Sequence, residues 1–344
     1  MSKIFYLCAC SSDERGGIYR YSISESGAIA EHAFTPLTEC NFICFSPDRK
    51  YMYATTNPAE TGAGAAAYKI LPDGSLEFLN SLSAQGKAAC YLTCSPDGKF
   101  LYCANYSTGN VAEFSIAEDG SLSKLTQVIQ HSGSGPRKDR QESAHTHCTV
   151  LTPDGKYLCV NDLGIDKVMV YPLGANGLDA AGVTSWDADP ADGPRHIIFD
   201  KSGTIAYVMN ELGNSVTALR YANGKFEKIG KYTSLPKGCQ EVTKASAIRL
   251  SPDEKFLYAS NRGFDSIACY RVTEPGVLDL FDIVSSFGSS PRDINYLPGE
   301  EIFAAANEFS DLICFYRVDK ETGKLRYMEG NDITHLPRPL YILY

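Results

Sequence analysis

Nothing in the 344 residues approaches the roughly 18 consecutive apolar residues of a membrane-spanning helix, so no such helix is expected. Positive charge is also in short supply. The 32 Lys and Arg stand against 41 Asp and Glu, a formal charge of −9. A chain without a phosphate-neutralising surface is not expected to bind nucleic acid or an anionic membrane, and an acidic small molecule would need a local basic site. There is no low-complexity segment and no linker: proline, glycine and serine are scattered as turn punctuation, so 1–344 reads as one domain. Ile4 to Cys10 is too short for the apolar part of a secretory leader, and Leu7-Cys8-Ala9-Cys10 is needed as a strand.

Cysteine is present, 12 in all, but not in a disulfide pattern. Most cysteines sit inside strand-like stretches, where the residue acts as a small apolar side chain. Cys40/Cys44 and Cys90/Cys94 are four apart on extended chain, roughly 13 Å between Cα atoms, beyond the reach of a disulfide or of a shared zinc ion. Free thiols and a cytoplasmic location are the expectation.

What the chain does have is a repeat. In SPDEKFLYASNRGFDSIACYRV, from Ser251 to Val272, Pro252 and Asp253 make a tight turn and Lys255 to Ser260 reads as a strand. Asn261-Arg262-Gly263 breaks it, and Ser266 to Val272 resumes as a second strand. Copies of the turn begin at Ser46, Ser95, Thr152, Asp200 and Leu297. A later glycine closes each copy's next strand, at Gly27, Gly74, Gly120, Gly177, Gly224, Gly276 and Gly323, with spacings of 47, 46, 57, 47, 52 and 47 residues. This is the period of a four-stranded propeller blade, counted seven times. The N-terminal KIFYLCAC matches the strand after the turn, and the C-terminal PRPLYILY matches the strand before it. The expected fold is therefore all-β: a seven-bladed β-propeller with four antiparallel strands per blade, closed when the C-terminal strand, Pro337 to Tyr344, joins the N-terminal blade.

Propeller topology brings the start of each blade's innermost strand and the end of its second strand to one mouth of the central channel. Inner-strand starts carry His147, Arg195, Ser246, Arg292 and Arg338; second-strand ends carry Asn105, Asp162, Asn210 with Glu211, Asn261 with Arg262, and Asn307 with Glu308. The asparagines also read as ordinary turn formers, and the arginines as members of an Arg-Glu network. The one long spacing falls in QHSGSGPRKDRQESAHTH, Gln130 to His147, a lid or a solvated insertion, on which Lys138 and Arg140 suit an anionic substrate group. His145 and His147 form H-x-H with both side chains to one side, about 7 Å apart, which suits an acid/base role for one histidine better than a metal whose third ligand nothing fixes. Candidate substrate-binding residues are His145, Arg140, Asp162, Asn210, Asn261, Arg292 and Asn307, with no metal and no cofactor expected.

The stretches GSGPRKDRQESAHTHCTVLTPDGKYLCVNDLGIDKVMVY, GPRHIIFDKSGTIAYVMNELGNSV, SAIRLSPDEKFLYASNRGFDSI and SPRDINYLPGEEIFAAANE resemble, in order, the blades of the seven-bladed propeller lactonase family. That family includes propeller-type 6-phosphogluconolactonases and the fungal 3-carboxy-cis,cis-muconate lactonizing enzyme. The resemblance implies a catalytic set of His147, Arg195, Glu211 and Arg262. It implies hydrolysis of a sugar-derived lactone, 6-phosphogluconolactone first, or alternatively cyclisation of a carboxylated muconate. A propeller that only binds a protein or peptide on its top face is the non-catalytic alternative, disfavoured by a mouth of Arg, His, Glu and Asn where binding faces expose aromatic and apolar anchors. The expected partner is a small anionic lactone or carboxylate.

Overall fold

Five of the repeats each begin with a turn that its first side chain ties shut, whereas the turn at Leu297 is closed by backbone bonds alone. Ser46 Oγ donates to Asp48 Oδ1 at 2.7 Å and accepts the Tyr51 N–H at 3.0 Å, five residues on. Ser95, Thr152 and Ser251 make the same pair of bonds to Asp97 and Phe100, Asp154 and Tyr157, and Asp253 and Phe256. In the proline-free copy Asp200 does this work with its carboxylate, which accepts the Ile205 N–H at 2.9 Å. A turn so closed launches the next strand in fixed register.

The computed structural model describes residues 3–24, 27–58 and 62–344. Among them the strands form seven antiparallel sheets, each four-stranded apart from one that has a fifth. In that one Gly177–Leu178 and Thr184–Asp187 both pair with Lys167–Gly174. Pro339–Leu343 lies beside Lys3–Ala9, followed by Gly17–Ile23 and Ile29–Pro36, so the two ends of the chain complete one sheet, as the terminal match predicts. The residue contacts divide into two units: Met1–Pro36, Ile198–Arg220 and Glu227–Tyr344; and Leu37–Ile197 with Tyr221–Phe226.

The counting glycines have a physical reason for recurring. All seven have positive φ, between 73° and 98°, a region that costs other residues a clash at Cβ. Most also lie under a large side chain of a neighbouring sheet. In the second unit a Cβ on Gly120 would come within 2.2 Å of the Tyr51 ring, while Tyr53 donates its hydroxyl to the Gly120 carbonyl at 3.1 Å. In the first, a Cβ on Gly323 would come within 2.4 Å of Phe256, and Tyr258 donates to its carbonyl at 2.9 Å. The large side chains of the strand after the turn are therefore the other half of the glycine signal: they build the inter-sheet core. Phe5, Tyr21, Phe315 and Ile342 belong to one such core in the first unit; Tyr102, Val111, Leu158 and Tyr171 to one in the second.

One boundary differs from expectation. Asn261 and Arg262, expected to break the strand, are its last two residues in Phe256–Arg262, paired with Ala245 and Lys244. Asn105, Asp162, Asn210 and Asn307 likewise end their strands. Turn-forming residue types hid strand pairing that the neighbouring first strand supplies. None of the twelve cysteines is in a disulfide, and burial pushes the Cys94 thiol up to about 12. No helix among the described residues is long and apolar enough to cross a membrane.

Candidate active site

At least three of the first strands are bulged at their start. Thr146 pairs with Asp162 and Cys148 with Asn161, which leaves His147 as the extra residue. Arg292 is the extra residue between Pro291 and Asp293, and Cys90 the one between Ala89 and Tyr91. These are the positions six before the turn proline. An inserted residue re-aims its side chain out of the regular alternation. The same pairings put the end of each second strand beside the start of its first strand, as the sequence argument requires within a sheet.

In the Leu37–Ile197 unit, His147 is 4% exposed. Its ring meets the Tyr106 ring edge-on at 5.7 Å and the His196 ring at 5.3 Å. His145 stacks flat on the same Tyr106 at 4.6 Å, so both histidines of H-x-H share one side. Its Nδ1 donates to the Tyr106 carbonyl at 3.0 Å and its Nε2 lies 3.2 Å from Glu142. Arg140, from the insertion, donates to the Tyr106 hydroxyl at 3.2 Å. Arg195, 2% exposed, has Nη1 2.9 Å from Nε2 of His196. A guanidinium only donates, so that imidazole nitrogen presents a lone pair to it.

The insertion is pinned rather than lid-like. Asp162 is fully buried, with Oδ1 accepting the N–H groups of His145 at 2.7 Å and Gly164 at 3.0 Å, and Oδ2 2.7 Å from His131 Nδ1. Tyr171 caps the other nitrogen of His131 at 2.8 Å. Asp166 accepts from the amide of Gln141 and from the N–H groups of Ala191 and Gly193, each at 2.8 Å, and thereby fixes the turn that delivers Arg195. Asp162, expected to touch substrate, instead spends both oxygens on the frame.

In the other unit Glu211 and Arg262 form a buried ion pair, Nη2 to Oε2 2.8 Å, with side chains 4% and 12% exposed. The same Nη2 donates to the Ala245 carbonyl at 3.1 Å, and the Ala245 N–H to the Glu211 carbonyl at 3.1 Å. Burial draws the Arg262 guanidinium below its ordinary value, against the pull of Glu211. A second group follows on the next sheet: Glu308, 4% exposed, takes Arg338 on Oε1 at 2.7 Å and Arg292 on Oε2 at 3.5 Å. Burial raises the Glu308 carboxyl, but Arg292, Arg338 and Arg262 outweigh it and hold it below the usual range.

The strand-end asparagines are used internally. Asn210 donates to Ser215 and Thr217, Asn261 to the Ser234 carbonyl and Ser266, and Asn307 to the Ser286 carbonyl. These amide hydrogen bonds tie strand ends to side chains and to carbonyls of other segments, and are not the local turn bonds weighed for them. The structure thus joins Glu211 with Arg262, Arg292 and Arg338 with Glu308, and His147 and Arg195 with His196. It adds His131, Asp166, His196 and Tyr106, which the sequence reading passed over. His196 alone carried a signal, as the neighbour of Arg195 in Gly-Pro-Arg-His. Chemically, a buried carboxylate on a guanidinium and an imidazole at a bulge are the parts that move a proton and stabilise an oxyanion.

Three comparisons bear on this arrangement. Residues 4–343 match the family model described as lactonase, 7-bladed beta-propeller. A solved protein of Bacteroides fragilis, provisionally described as a 6-phosphogluconolactonase, is 31% identical with a TM-score of 0.90, over 99% of this chain and 97% of that one. The periplasmic gluconolactonase of Pseudomonas aeruginosa is 27% identical with a TM-score of 0.92, over 99% and 98%. A curated relative from Staphylococcus saprophyticus, itself uncharacterised, is 34% identical over 337 residues, 96% of each chain. By the match of residues 4–343 to that model, the chain belongs to the seven-bladed β-propeller lactonase family.

Proposed function

We propose that the protein hydrolyses a sugar-derived lactone, with 6-phosphogluconolactone the first substrate to test. The observation that carries this reading is the buried Glu211–Arg262 pair. Water attacks the lactone carbonyl carbon, the C=O electron pair moves to oxygen, and the water's proton passes to a base. When that base is Glu211, protonation cancels its charge. Arg262, until then neutralised by its partner, is left positive at the moment the oxyanion forms. Collapse of the tetrahedral adduct breaks the ring C–O bond, and the ring oxygen takes a proton to give the hydroxy acid. Arg195 is read as a further donor to developing charge and His147 as the alternative base. The relatives described as gluconolactonase and 6-phosphogluconolactonase support this substrate class. A small anionic lactone is the partner, and a cytoplasmic location is part of the same reading, supported by twelve cysteines that form no disulfide.

The test is direct. Purified protein should release acid from 6-phosphogluconolactone or glucono-1,5-lactone well above the rate in buffer, and Glu211→Gln should lower kcat by roughly 100-fold or more. A small effect of Glu211→Gln with a large effect of His147→Gln would move the base to His147. Cyclisation of 3-carboxy-cis,cis-muconate with no lactone hydrolysis would replace the proposal.

A further inference from the structure

The hydrolytic step uses Glu211 and Arg262 and leaves a neighbouring charged group without a task. Glu308 is buried, and two guanidiniums converge on it, one on each oxygen. A structural ion pair needs one arginine per carboxylate. Here two guanidiniums, Arg292 and Arg338, share the one carboxylate of Glu308, while Arg262 stands with Glu211 and Asp311 takes the Arg338 N–H. The two ion-paired groups also feel one another: Arg292 pushes the Arg262 guanidinium down, and Arg262 helps hold Glu308 ionised. The layering is directional. Glu308 is 4% exposed, whereas the side chains of Arg292 and Arg338 are 27% and 53% exposed, so the carboxylate backs guanidiniums that face outward.

The backbone is built around this presentation. Arg292 is the extra residue of its bulge. Arg338 sits at φ 43°, in the left-handed region that a non-glycine residue enters at a cost. It is held there by its N–H donating to Asp311 Oδ1 at 2.7 Å and its carbonyl accepting the Cys10 N–H at 3.0 Å. A strained arginine fixed at both backbone polar atoms is oriented before anything binds.

We propose that Arg292 and Arg338, backed by Glu308, form a second anion subsite beside the Glu211–Arg262 pair, and that it takes an oxyanion carried by the substrate away from its lactone ring, a phosphate monoester or a carboxylate. The identity of the ligand rests on the lactonase reading; the subsite itself rests on Glu308 and its two arginines. Planar guanidinium forks match both anions.

Three lactones separate the cases: 6-phosphoglucono-1,5-lactone, glucaro-1,4-lactone with its carboxylate, and glucono-1,5-lactone with neither. In Arg338→Gln and Arg292→Gln, kcat/KM for the phosphorylated or the carboxylated lactone, divided by that for glucono-1,5-lactone, should fall at least 10-fold, mainly through KM. The lactone whose ratio falls identifies the anion. Each variant leaves Glu308 one arginine, and melting curves check the fold; Arg338→Lys, which keeps the charge and loses the fork, should fall at least 3-fold and serves if a glutamine variant does not fold. Ratios unchanged within 2-fold for both anionic lactones overturn the proposal. If the wild-type protein hydrolyses none of the three, the lactonase reading fails, and calorimetry with 6-phosphogluconate, glucarate and gluconate decides the subsite. Binding of 6-phosphogluconate or glucarate at least 10-fold weaker in Arg338→Gln supports it, and absent or unaltered binding overturns it.

Discussion

Two buried carboxylates with different duties set the behaviour expected of single residues. Asp162 holds His131 and two backbone N–H groups inside the fold, so Asp162→Ala leaves three buried donors without an acceptor and should cost about 3–5 kcal/mol in urea unfolding. Glu211→Gln keeps the shape and should act on turnover more than on stability. Glu308 adds a pH effect whose sign follows from its environment. Its folded pKa lies below the ordinary 4.5, so it contributes stability that is present above that value and is lost as pH falls through the folded value. Stability measured from pH 6 downward should therefore decline less steeply in Glu308→Gln than in wild type; parallel profiles would contradict the assignment. At this scale the sequence was legible where charge stood at a repeat position, as for Glu211, Arg262 and Arg292. It was not legible for His131 or Gln141, polar residues in a polar insertion whose burial only their partners reveal.

Elements were read more fully, because the turn, the strand after it and the closing glycine each have a local physical cause. Gly323 shows how much rests on one atom: Gly323→Ala meets both φ 73° and the Phe256 ring 2.4 Å from the new Cβ, and should lower stability by about 1–3 kcal/mol. Gly330, at φ 81° with nothing within 4 Å, meets only the backbone term, so Gly330→Ala should cost less; equal melting temperatures for the two would contradict the packing account. The C-terminal strand is a second case. Leu340 and Ile342 are buried, and Ile342 exchanges hydrogen bonds with Asp293 and Asn295 of the next sheet. Deleting Pro337 to Tyr344 exposes a strand edge at Tyr6 to Ala9 and should lower the Tm by many degrees or yield aggregate. Bulges escaped the sequence reading, since one extra residue in a strand changes register without changing composition. They are nonetheless what turns His147 and Arg292 out of the alternation.

For the whole molecule, the repeat disclosed the blade count because one packing solution, a large side chain over a positive-φ glycine, is used again and again. Function is less redundant. In the proposed reading it depends on a few charged strand ends that break the repeat, among them the two ion-paired groups around Glu211 and Glu308. Their shared property is a positive charge made available when a carboxylate is protonated or an anion arrives, which suits a reaction that builds an oxyanion. The measurement that bears most directly on this is steady-state hydrolysis of 6-phosphogluconolactone by wild type and by Arg262→Met, with unfolding curves for both. The account predicts turnover well above buffer for wild type and a kcat at least roughly 100-fold lower for the variant, with the fold retained. A folded Arg262→Met that keeps full turnover, or a wild-type protein that opens no lactone faster than buffer, would contradict it.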